Sequence, residues 1–218
     1  ILSICLSVTA KADAMVVLDV YRDAYINDED FTTGVLDGIP DSISDTNALL
    51  VADIVLSSGG RIDSRPIITF DLSSYLGMTL TSATFRGYET RVDNGTSLDS
   101  IDASLFYYLD NGTVELDDFD QAATYISDIT FTPNPNTFDL ALFEVDVTSS
   151  ISSLFSQSNP YLEFRLESDE FTGLINAGEI QDPNFSVDDR WPGPQLVLAF
   201  SDPTVIPEPA TVMLFAGG

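Results

Sequence analysis

The chain of 218 residues contains no histidine, and its one cysteine (Cys5) and one lysine (Lys11) both sit near its start. Without histidine it lacks the commonest general base and the commonest metal ligand, so serine–histidine triads are excluded. A lone cysteine closes no disulfide within the chain and builds no Cys/His zinc site. Cationic side chains are scarce too: 8 Lys and Arg stand against 35 Asp and Glu, for a formal net charge of −27 and a pI near 4.1. Such a surface repels nucleic acid and anionic lipid, which sets nucleic-acid binding aside.

What is present suits one domain of ordinary size, since 44% of the residues are hydrophobic, enough to fill a core. Runs rich in Val, Ile, Phe, Tyr and Thr alternate with polar residues and are broken by Gly, Asn, Asp and Pro, which predicts strands throughout. Segments 16–21, 48–56, 66–72, 83–88, 101–109, 142–147, 161–166 and 195–200 read as strands. Glu144-Val145-Asp146-Val147 and Leu162-Glu163-Phe164-Arg165-Leu166 alternate strictly, which predicts one face in a core and the other in water. The expected architecture is all-β, a two-sheet antiparallel β-sandwich of jelly-roll-like form over residues 15–200. Asp93-Asn94-Gly95 and Asp110-Asn111-Gly112 supply turns suited to positive φ. One helical turn is expected from Thr148 as N-cap to Phe155, with Ile151, Leu154 and Phe155 on one face to plug an end of the sandwich.

The two ends read as addresses. Ile1 to Thr9 looks like the end of a signal-peptide core, and Ala10-Lys11-Ala12 and Ala12-Asp13-Ala14 both fit A-x-A cleavage, the second releasing Met15, so residues 1–14 read as a signal-peptide remnant. The alternative is a first β-strand. At the other end Pro207-Glu208-Pro209 follows a Pro/Asp spacer and opens into the apolar run Ala210 to Gly218. That stretch resembles the PEP-CTERM sorting signal of Gram-negative bacteria, in which Pro-Glu-Pro precedes a transmembrane helix and a basic cluster. The resemblance implies export, an exosortase-type sorting enzyme as partner, and a destination at the cell surface or in the extracellular matrix. Nine residues would span about 13 Å of a hydrocarbon core of roughly 30 Å, so the signal over 201–218 reads as cut within its membrane segment. The alternative is a flexible Pro-rich tail ending in a strand.

A second resemblance covers residues 16–200. Arg65-Pro66-Ile67-Ile68-Thr69-Phe70-Asp71-Leu72-Ser73, then Leu80 to Phe85, Val145 to Ile151 and Arg190 to Leu198, resemble successive blocks of DNRLRE-type domains. These are secreted β-sandwiches of bacterial surface proteins and polysaccharide-degrading enzymes, some of them carbohydrate-binding modules. The resemblance implies a carbohydrate-associated module with extracellular polysaccharide as ligand.

Clustered carboxylates suit calcium, a hard ion that takes six to eight oxygens. Three acidic segments stand out: Asn27-Asp28-Glu29-Asp30, Asp117-Asp118-Phe119-Asp120 and Asp188-Asp189. Asp28 and Asp30 are the first choice for a Ca2+ site, on a loop after the first strand, and plain solvated loops are the alternative for each cluster. For sugar stacking the candidates are Trp191, Tyr107, Tyr108, Tyr88 and Tyr125, with one of the adjacent Tyr107 and Tyr108 facing outward; Arg86 and Arg91 suit a carboxylated sugar. No catalytic residue is singled out. The leading expectation is an exported, non-catalytic, carbohydrate-associated surface protein. The alternatives are a structural or adhesion matrix protein without sugar binding, and a polysaccharide hydrolase or lyase using paired carboxylates.

Overall fold

The computed structural model describes residues 13–31, 35–44, 48–55, 58–93, 101–131, 141–168, 176–181 and 193–201. The fold is an antiparallel two-sheet β-sandwich. Its strands are β1 (Ala14–Asp19), β2 (Arg22–Asp30), β3 (Ser42–Ser44), β4 (Ala48–Val55), β5 (Arg61–Asp71) and β6 (Leu80–Asp93). They continue with β7 (Ile101–Leu109), β8 (Thr124–Phe131), β9 (Ala141–Asp146), β10 (Tyr161–Glu167), β11 (Asn176–Gln181) and β12 (Gln195–Phe200). One sheet runs β1-β12-β6-β9 and the other β3-β2-β5-β10-β7-β8. The two are joined at one end, where β4 pairs the start of β5 through Ser64↔Ala52 and Ile62↔Ile54, while β11 pairs both β4 and the far end of β6.

The inward faces meet in one apolar core. Val16, Phe85, Leu196, Leu198 and Phe200 from the first sheet pack against Ile68, Phe70, Leu105, Phe131, Leu162, Phe164 and Leu166 from the second. The sheets touch through aromatic rings: Phe85 of β6 stacks on Phe164 of β10 with centroids 4.7 Å apart and meets Phe70 of β5 edge-on at 6.3 Å.

The helical piece plugs the sandwich as the sequence predicts, with Ile151, Leu154 and Phe155 all buried, but it divides into α1 (Thr148–Ile151) and a 3₁₀ segment (Ser152–Ser156). Thr148 is not its N-cap; that position is Val147. The Thr148 hydroxyl accepts instead from the Ala83 amide at 2.8 Å, which ties the plug to β6.

A further correction concerns β10, whose alternation leads one to expect a wet outer face. Glu163 is 0% exposed and Arg165 only 6%. The β7–β8 connection, which contains a 3₁₀ turn at Leu116–Phe119, lies over that face and forms a small second core of Phe119 with Ile26 and Ile67. Two arginines hold it down. Arg165 Nη1 donates to the carbonyls of Asp118 (2.8 Å) and Gln121 (2.9 Å), and Arg65 Nη1 donates to that of Phe119 (2.8 Å). The Arg65 guanidinium also sits 3.9 Å from the Phe119 ring centroid.

Candidate functional site

The covered outer face of the second sheet carries the chemistry. Register places Glu163 of β10 between Thr69 of β5 and Tyr108 of β7, so three polar side chains form one row across three strands on the same face. Asp110 follows two residues after Tyr108, where the chain leaves β7 toward the tight turn at Gly112 (φ 81°). The 3₁₀ turn lowers Asp118 onto the row from above. Among the described residues, Asp110, Asp118 and Glu163 are the one group of three acids that each bring a carboxylate oxygen within 4.8 Å of the others'.

Two of the three acids, Asp118 and Glu163, are sealed, and Asp110 is half-buried. Asp118 is 1% exposed and Tyr108 5%. Asp118 Oδ2 accepts from the Glu115 amide at 2.7 Å, while both Glu163 oxygens, the Tyr108 hydroxyl and the Thr69 hydroxyl have no hydrogen-bond partner. At that spacing each pair of full negative charges costs about 3.5 kcal/mol at an effective dielectric of about 20. Three such pairs rival the stability of a whole domain. Burial, and then the Asp118 charge, pushes Glu163 up to about 8; burial, offset by the Glu115 amide but reinforced by Asp110, pushes Asp118 up to about 6. Burial and the Glu163 charge also drive the Tyr108 phenol upward.

The face's arginines are committed elsewhere. Arg165 Nε donates to Glu167 at 2.7 Å, and Arg65 pairs with Asp63 at 2.8 Å and Asp120 at 2.9 Å.

Asp28 and Asp30 fall within β2 rather than on a loop, because β5 supplies a ladder partner for every residue from Arg22 to Asp30. Asp28 is buried beside Asp63 and accepts from the Gly38 amide at 2.9 Å; burial, with Asp37 and Asp41 nearby, raises its carboxyl. Neither sugar-stacking tyrosine of β7 stands free in solvent. Tyr107 packs against the main core, and Tyr108, though on the outer face, lies under the β7–β8 connection. The Arg86 guanidinium donates to Gln195 Oε1, whose amide donates in turn to Asp19 at 2.7 Å. Tyr125 is 51% exposed beside Phe106, with ring centroids 5.7 Å apart. Trp191, the Asp188-Asp189 pair, the segment before Asp13 and the Pro207-Glu208-Pro209 tail lie outside the described residues, as does the side chain of Arg91. Among the described residues no helix is long and apolar enough to cross a membrane.

Sequence composition gives partial notice of the triad: Asp118 belongs to a conspicuous acidic run and Asp110 to an Asn-Gly turn. Glu163 gives none, because an acid alternating with apolar residues reads as an ordinary solvated strand face.

The chain matches no protein-family description and no curated protein. Among solved structures it is similar to the stem and receptor binding domain of the spike protein P1 from bacteriophage PM2, at 9% identity and a TM-score of 0.32 over 88% of this chain and 90% of that one. A likeness this distant bears on neither ligand nor activity.

Proposed function

We propose that the chain is an exported, non-catalytic β-sandwich with a structural role at the cell surface or in the extracellular matrix of a Gram-negative bacterium. The observation that carries this reading is the Pro207-Glu208-Pro209 motif and its apolar sequel, set after a sandwich whose last described strand ends at Phe200. The sealing of Asp118 and Glu163 supports a non-catalytic role, because paired-carboxylate glycoside hydrolysis needs acids that reach a sugar and a water. The test is fractionation of a Gram-negative host that carries an exosortase and expresses the tagged full chain. Surface or matrix delivery is expected, lost when Pro207, Glu208 and Pro209 are all changed to alanine. An unchanged distribution would overturn the reading.

Carbohydrate association is the second reading, favoured by exposed rings on the second sheet's outer side: Tyr125, and Tyr21, which is 48% exposed and stacked 5.5 Å from Tyr161. A glycan array probed with the wild type and with Tyr125→Ala and Tyr21→Ala decides it; the array should bind the wild type and lose binding with one of the variants.

A further inference from the structure

We propose that Asp110, Asp118 and Glu163 form a buried binding site for a hard divalent cation, calcium in particular, beneath the β7–β8 connection. Two oxygens bound to one calcium ion lie no further apart than about twice the metal–oxygen distance of about 2.4 Å, or about 4.8 Å. The three carboxylates meet that limit. An acidic cluster alone would not establish a site, but Glu163 is 0% exposed with both carboxylate oxygens unpartnered, one of them within 4.8 Å of an oxygen from each of the other two acids. Buried polar atoms in folded proteins are almost always hydrogen-bonded, so such a group marks a missing partner. The Thr69 and Tyr108 hydroxyls, flanking Glu163 in the same register row, are likewise unpartnered. The Glu163, Thr69 and Tyr108 oxygens share one register row beneath the connection, an arrangement suited to ligands around a common centre.

Donor chemistry selects the ion. Every group offered is oxygen, which suits calcium, magnesium or manganese and disfavours zinc and copper. Magnesium keeps several waters in a strict octahedron, whereas calcium accepts a flexible shell supplied by protein. Charge also calls for a cation, since the neighbouring arginines are spent on Glu167, Asp63 and Asp120. The occupied site would cross-link strand β10 to the connection that covers it, and so fasten the second small core to the sandwich.

The experiment uses the full chain, stripped with chelator and titrated with calcium chloride by calorimetry and thermal unfolding, with magnesium and sodium chloride at matched ionic strength as controls. One calcium ion per chain is expected, with a rise in Tm of about 5 °C or more at a hundredfold excess over Kd. Glu163→Gln and Asp110→Asn should each weaken calcium binding at least tenfold. Glu163→Gln should unfold in chelator no earlier than the wild type, because it replaces an acid without a hydrogen-bond partner by a neutral amide of the same shape; Asp110→Asn alters a half-buried acid and serves should Glu163→Gln fail to fold. Asp28→Asn should bind calcium like the wild type. Absence of stoichiometric binding by the wild type would overturn the proposal and leave the acids held by protons. Undiminished binding by both site variants would overturn it as well.

Discussion

Arg165 donates from Nη1 to the main-chain carbonyl of Asp118 at 2.8 Å, so the strand that carries Glu163 also holds down the turn that carries Asp118. The same guanidinium reaches Gln121 O and Glu167 Oε1, and its side chain is only 7% exposed. Arg165→Ala therefore leaves two main-chain carbonyls without their donor and the half-buried Glu167 carboxylate with only Arg65, at 3.8 Å. The expected loss is about 3 kcal/mol, the scale for breaking a buried pair by removing one partner. Urea unfolding measures it, and limited proteolysis should show new cleavage between Asp110 and Ala123. A loss under about 1 kcal/mol with no new cleavage would mean that apolar packing by Phe119 alone seats the connection.

Gly112 begins that connection at φ 81°, where a Cβ would lie 2.6 Å from Cδ1 of Tyr161. Gly112→Ala meets both the left-handed backbone penalty of about 1–2 kcal/mol and a ring with little room to retreat, since Tyr161 is stacked on Tyr21. A fall in stability of about 2 kcal/mol is expected by chemical denaturation. Gly77, also at positive φ but with nothing within 4 Å of its would-be Cβ, should show only the backbone part when changed to alanine. Equal losses at the two sites would remove the Tyr161 contact from the account.

The strands legible in the sequence are those whose apolar residues alternate or cluster. β7 and β12 fall at 101–109 and 195–200 as the pattern predicts, and β5 and β6 extend beyond their predicted 66–72 and 83–88 to Arg61–Asp71 and Leu80–Asp93. β2 is illegible because Asp23, Asp28, Glu29 and Asp30 give it the composition of a loop. Its pairing along β5, with Arg61 opposite Asp30 and Arg65 opposite Ile26, supplies what local propensity withholds. β11, Asn-Ala-Gly-Glu-Ile-Gln, lacks a strand pattern and is fixed by pairing on both edges. The triad is illegible for a different reason: Asp110, Asp118 and Glu163 come from three separate segments, and only the path of the β7–β8 connection brings them together.

Under the proposed export, strand β1 favours cleavage after Ala10-Lys11-Ala12 over cleavage after Ala12-Asp13-Ala14. Ala14 is 3% exposed and pairs with Phe200, whereas Met15 beside it is 43% exposed. Removal of residues 1–12 leaves this pairing whole; removal of 1–14 takes away a buried methyl and a ladder position, worth about 1 kcal/mol together. The longer truncation should melt a few degrees below the shorter, and N-terminal sequencing of exported protein should begin at Asp13. A mature chain starting at Met15 with undiminished Tm would show that the sandwich does not need Ala14.

Asp146 ends β9 and organises the entry to the helical plug, where its Oδ1 accepts from the Thr148 amide at 2.9 Å and from the Thr148 hydroxyl at 2.6 Å. The hydroxyl bond, and then the amide bond, holds the Asp146 carboxyl below its ordinary value of 3.8. A carboxyl whose folded pKa is depressed stabilises the fold above the unfolded value, and that contribution is lost as the pH falls through the folded value. Asp146→Ala should therefore cost about 0.5–1 kcal/mol at neutral pH, the lower part of the range for helix-terminus caps at an exposed position. Asp146→Asn, which keeps an acceptor but not the charge, should cost less. The gap between wild type and Asp146→Ala should narrow as the pH falls below about 3.8, because the wild-type carboxyl then gains a proton and loses its advantage. Paired urea titrations at neutral and acid pH measure the gap. A difference that stayed constant across that window would assign the effect to packing of β9 rather than to the carboxylate that receives Thr148.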